Sequence, residues 1–102
     1  MFASLAALFA ALLEPSGPAA LARACEGHDG WSDPAPPARI HGSTYYVGTC
    51  GISAILIAGR DGHVLIDSGP AEAAPQIVAN IQRLGLRVGD VRLILSSHEH
   101  LD

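Results

Sequence analysis

Three residues able to hold a metal ion stand at alternate positions in Ser96-Ser97-His98-Glu99-His100-Leu101-Asp102. In an extended segment, side chains at i, i+2 and i+4 point the same way. Two imidazoles about 7 Å apart along such a strand can lean together on one cation. A carboxylate two residues further on reaches the same metal or a second one beside it. Imidazole plus carboxylate suits zinc, or iron. Glu99 is expected on the opposite side, as a solvated side chain. His-x-His alone is a weak signal; Asp102, and the apolar strand leading into the motif, strengthen it. A serine nucleophile is excluded, because neither Ser96 nor Ser97 sits in a Ser-x-x-Lys or Gly-x-Ser-x-Gly pattern.

The elements that must position this motif read as a mixed α/β order. Ser43 to Thr49, Ile52 to Ala58 and His63 to Asp67 are rich in β-branched, aromatic and aliphatic residues, with a turn signal at Asp61-Gly62. The unbroken apolar run from Ile55 to Ala58 predicts a strand buried on both faces. Ile77, Val78, Ile81 and Leu84 then form one helical stripe. Pro75 suits the first turn of that helix and Gly85 the position just past its end, with Leu86 able to pack back. Val91 to Ser96 reads as a further buried strand. The predicted order is β-β-β-α-β, with the histidines just beyond the last strand, where α/β sheets tend to place their sites.

Before these elements lies a polar stretch, residues 26–42, in which Pro34, Pro36 and Pro37 argue against regular structure. It reads as an extended leading segment anchored by Trp31. His28, His41 and His63 read as surface or turn residues.

The N-terminus differs in kind. Phe2 to Leu13 is an apolar run interrupted by Ser4, too short to cross a bilayer, which takes about 20 residues. It fits the apolar region of a signal peptide over residues 1–24, with a small-x-small site at Ala22-Arg23-Ala24. No Lys or Arg precedes the run. Export to the periplasm is therefore expected. In that oxidising compartment Cys25 and Cys50 are expected to pair as a disulfide. Cys25, directly after a small residue, also fits lipidation, and a cytosolic chain would keep both as free thiols.

With 102 residues and a net charge of −4, the chain has room for one small domain. Its six basic residues are all Arg and are scattered. No basic patch of the kind that binds nucleic acid is present.

Several separated stretches together carry a resemblance. Ser96 to Asp102, following Val91 to Leu95, resembles the opening of the His-x-His-x-Asp-His signature of the metallo-β-lactamase superfamily. His63 to Gly69 resembles that superfamily's strand bearing an Asp followed by Gly. Trp31-Ser32-Asp33-Pro34, the run from Thr44 to Ile57, and Gln76 to Gly85 resemble subclass B3 of the metallo-β-lactamases in particular.

The resemblance covers residues 25–102 and implies the N-terminal part of an αββα sandwich. It implies an exported, monomeric zinc enzyme that hydrolyses β-lactam antibiotics at a dinuclear site. His98 and His100 match two ligands of the first zinc. Asp102 matches a ligand of the second zinc and orients the attacking hydroxide. Asp67 matches a carboxylate that supports the metal loop from behind, and Cys25–Cys50 is similar to a disulfide of some members. Three of the family's six ligand positions fall within this chain, so these 102 residues alone are expected to be inactive. Two other readings stay open: a hydrolase of this fold acting on lactones or thioesters, and a truncated product without catalysis.

Overall fold

The computed structural model describes residues 17–100 and Asp102. The apolar run Phe2 to Leu13 lies outside the described residues. Among these, no helix is long and apolar enough to cross a membrane.

The described residues open with helix α1, Pro18–Ala24, whose first-turn proline costs no hydrogen bond. Strands β1 (Ala38–His41), β2 (Thr44–Tyr46), β3 (Ile55–Ile57) and β4 (His63–Ile66) follow. Helix α2, Ala74–Arg83, then crosses to strand β5, Val91–Leu95. The five strands form one sheet in the order β1-β2-β3-β4-β5. The first three pairings are antiparallel, and β4 with β5 is parallel. This is the mixed α/β class expected, with one strand and one helix more. Strand β1 lies in the stretch read as irregular. The prolines end at Pro37, and Ala38 to His41 then pair along the outer side of β2. A turn through Gly42, at φ 56°, joins the two strands.

Helix α2 follows its sequence closely. Ile77 and Ile81 are buried, Leu84 is half-buried, and Val78 at the margin of the stripe is exposed. Gly85, at φ 77°, closes the helix, and the Leu86 amide donates back to the Ile81 carbonyl at 3.2 Å. The buried face of α2 packs on Val47, Ala54, Leu56 and Leu65 to make the core. Asn80 is buried within this layer, and its amide nitrogen donates to the Val47 and Gly48 carbonyls at 3.1 and 3.2 Å. Those bonds fix the helix over the β2–β3 connection and leave no orphaned polar group there.

Register explains the burial of the sheet. Tyr45, Leu56, Leu65 and Ile94 are successive cross-strand partners and make one row on the helix side. Strand β3 is not buried on both faces: Leu56 is covered, whereas Ile57 faces the open side and is partly exposed. Strand β5 departs further from expectation, with Leu93, Ile94 and Leu95 at 50, 58 and 46% exposure. It sits at the sheet edge, where α2 covers it only in part. An apolar hollow of about 290 Å³ opens there between Ile77, Ile81, Val91 and Ile94.

The leading segment is tied down covalently by Cys25–Cys50. The cross-link spans 25 residues, which corresponds to about 3–4 kcal/mol in the chain-entropy picture. Backbone bonds from Cys50 to Asp33 and from Gly51 to Gly30 reinforce it. Gly51 is required there, since a Cβ would stand 2.0 Å from the Asp29 carbonyl oxygen. His63, expected at the surface or in a turn, is buried and serves the turn. It is 7% exposed, and its Nδ1 accepts the Gly59 N–H at 3.1 Å, closing the turn before β4.

Candidate metal centre

Strands β4 and β5 run parallel, so their carboxyl ends open on one edge of the sheet, and the residues just past each strand meet there. Past β4 the chain turns at Asp67, a non-glycine residue at φ 61°. Asp67 donates its amide to the Leu95 carbonyl at 2.8 Å, extending the ladder by one step. The left-handed turn swings its carboxylate across to the start of the histidine loop. There Oδ1 accepts the Ser97 N–H at 2.8 Å and Oδ2 accepts the Ser97 hydroxyl at 2.6 Å. The Ser97 hydroxyl and then its amide hold the Asp67 carboxyl below the usual carboxylate range, against an opposing cost of desolvation.

The three expected donors come together. Donor atoms of His98, His100 and Asp102 all lie within 4.8 Å of one another. The two imidazole rings stand perpendicular with centroids 4.9 Å apart. His98 Nε2 lies 3.1 Å from Asp102 Oδ1, and the Asp102 carbonyl accepts the Gly69 N–H at 3.0 Å. The route to this convergence is not the extended one. Residues 97–100 form successive bends, because β5 ends at Leu95. Alternation therefore does not apply, and Glu99 lines the same cavity as His100 and Asp102.

That cavity, about 520 Å³ and open to solvent, is completed by Trp31. Trp31 is 48% exposed, so it does not anchor the leading segment. The Cys25–Cys50 bridge and the backbone bonds at Asp33 and Gly30 perform that task. Sequence reading missed two residues of the site: Trp31, whose neighbours gave no hint of its partner, and Ser97. For Ser97 a signal existed, a hydroxyl directly before the first histidine at a strand end.

The donor set suits a zinc ion. Zinc bonds near 2.0–2.1 Å in a tetrahedron put neighbouring ligand atoms about 3.4 Å apart. The observed spread of up to 4.8 Å lies within a small side-chain adjustment of that value. The hydrogen bonds behind His98 provide the outer support that metal-binding histidines ordinarily have.

Comparison with known proteins agrees with the geometry. The sequence model of the metallo-β-lactamase superfamily matches residues 47–102, more than half of the chain. MIM-1, a metallo-β-lactamase from Novosphingobium pentaromativorans, superposes with a TM-score of 0.78 at 64% identity, over 83% of this chain and 32% of that one. MEM-A1, a subclass B3 metallo-β-lactamase from a soil metagenome library, gives 0.69 at 56% identity, over 72% and 28%. GOB-18, a metallo-β-lactamase from Elizabethkingia meningoseptica, gives 0.69 at 42% identity, over 71% and 27%. The chain thus spans a third or less of the length of these structures. A matching family sequence, a shared fold and a histidine–aspartate cluster at the shared strand ends make this chain a member of the metallo-β-lactamase superfamily.

Proposed function

We propose that this chain contributes the first part of an exported, zinc-dependent hydrolase that opens the ring of β-lactam antibiotics. The observation that carries the reading is the convergence of His98, His100 and Asp102, the last two lining a solvent-open cavity walled by Trp31. The naming of its solved relatives as metallo-β-lactamases supports the substrate class. Export is supported by the apolar run Phe2 to Leu13 and by the Cys25–Cys50 disulfide.

In this reading His98 and His100 would hold a first zinc, and Asp102 would reach a second. When bound, zinc supplies Lewis acidity and brings the pKa of a bound water to about 7. The chain's own residues do the rest. His98 and His100 present imidazole nitrogens on one side of the loop, held by the bends of residues 97–100. Asp102 offers a carboxylate oxygen that accepts a proton or orients a water at the same point. Asp67, through Ser97, keeps the loop from swinging away from the strand ends. Trp31 offers an apolar ring face against which a substrate can lie, excluding water from one side.

The test is hydrolysis of a carbapenem and a cephalosporin by the full-length protein, followed by loss of β-lactam absorbance. The expected result is turnover that a chelator abolishes and added zinc restores. A zinc-loaded protein that leaves both antibiotics intact but cleaves a lactone or thioester would overturn the β-lactam reading.

A further inference from the structure

We propose that Asp33 is a positioning residue for substrate binding: its carboxylate locks the turn that holds Trp31 as a wall of the metal cavity. The effect on substrate rests on the hydrolase reading above; the locked turn does not. Residues 30–33 form a tight turn, in which the Asp33 amide donates to the Gly30 carbonyl at 3.1 Å. The Asp33 side chain closes the same turn a second time, with Oδ2 accepting the Gly30 N–H at 2.9 Å. His28 Nδ1 stands 3.9 Å from that oxygen, beyond hydrogen-bond reach, so the Gly30 amide is its partner. Gly30 leaves the carboxylate room to sit there, since a Cβ would stand 2.9 Å from Asp33 Cγ.

Both ends of the turn are also fastened to the body of the molecule. The Cys50 amide donates to the Asp33 carbonyl at 2.9 Å, and the Gly51 amide to the Gly30 carbonyl at 3.1 Å. Cys50 is in turn bridged to Cys25. Of the four turn residues only the central two, Trp31 and Ser32, make none of these bonds. Trp31 is 48% exposed and lines the cavity shared with Glu99, His100 and Asp102. An indole so open to solvent adds little to the core, yet its backbone is held at both flanks. That arrangement suits recognition, because the cost of ordering the ring's support falls on folding and not on ligand capture. The held ring face can stack on the apolar part of a substrate. Trp31 touches the substrate in this reading, and Asp33 acts only through it.

The experiment uses the full-length protein labelled with fluorotryptophan, the Trp31 fluorine line being identified by its loss in Trp31→Phe. Line width is read alongside KM and kcat for a carbapenem. Asp33→Ala keeps the three backbone bonds of the turn, so the segment stays in place. It is expected to narrow the Trp31 line, the mark of a freer ring. It is also expected to raise KM about 3- to 10-fold with little change in kcat. Asp33→Asn, which keeps an oxygen for the Gly30 amide, is expected to restore both. In a Trp31→Ala background, Asp33→Ala is expected to add nothing further to KM. An unchanged fluorine line in Asp33→Ala, or an undiminished rise in KM in the Trp31→Ala background, overturns the proposal. A narrowed line in a protein that cleaves no β-lactam would sustain the locked turn while sinking the β-lactam reading.

Discussion

Leu56 and Ile94 lie in the same row of cross-strand partners, on the same face of the same sheet, separated only by Leu65. Leu56 is fully buried and Ile94 is 58% exposed. Both are aliphatic and of similar size, so side-chain chemistry does not account for the difference. Position does: helix α2 covers the middle of the sheet, and β5 stands at its rim. Burial is a property of what lies on top of a residue. The apolar side chains of β5 nonetheless point to both faces, which is the composition of a strand covered twice.

The contrast is open to direct attack. The largest effect is expected from Leu65→Ala, which leaves a void under α2 and should cost about 2–5 kcal/mol in denaturant unfolding. Ile94→Ala, one strand over in the same row, should stay within about 0.5 kcal/mol of wild type if nothing covers the edge. Equal losses at the two positions would show that β5 is covered in solution. A smaller, pH-dependent effect belongs to the end of the same strand pair. The Asp67 carboxyl is held below its ordinary range in the folded chain. Its contribution to stability is therefore fully present above the unfolded carboxylate value and fades as the pH falls through the folded one. Asp67→Asn should remove that portion of the acid sensitivity. Unfolding midpoints followed from neutral to acid pH should then converge with those of wild type at the acid end. Parallel curves would mean that Asp67 is not ionised by its bonds to Ser97.

What could be read in the sequence follows the range of the forces involved. Helix α2 was legible because its determinants are local: a stripe at helical spacing, Pro75 at one end and Gly85 at the other. Strand β1 was hidden by Pro36 and Pro37, whose effect ends at the residue they occupy. The exposure of β5 was not legible, since no residue within it records the length of the helix on the neighbouring strands. The candidate ligands stood out by their spacing, yet the expected extended geometry is replaced by bends that bring His98 and Asp102 to 3.1 Å. Ser97 and Trp31 escaped because their partners, Asp67 and the donor loop, are remote in sequence.

The hydrogen bond from the Gly69 amide to the Asp102 carbonyl gives the molecule a built-in sensor. Gly69 leads directly into Ala73 and Ile77, which belong to the core, and a Cβ on it would stand only 3.0 Å from that of Ala73. Any rearrangement of the donor loop therefore pulls on a rigid point, not on a slack one. The exchange rate of a single amide proton, far upstream of the histidines and touching no ligand side chain, would register whether that loop is held or free.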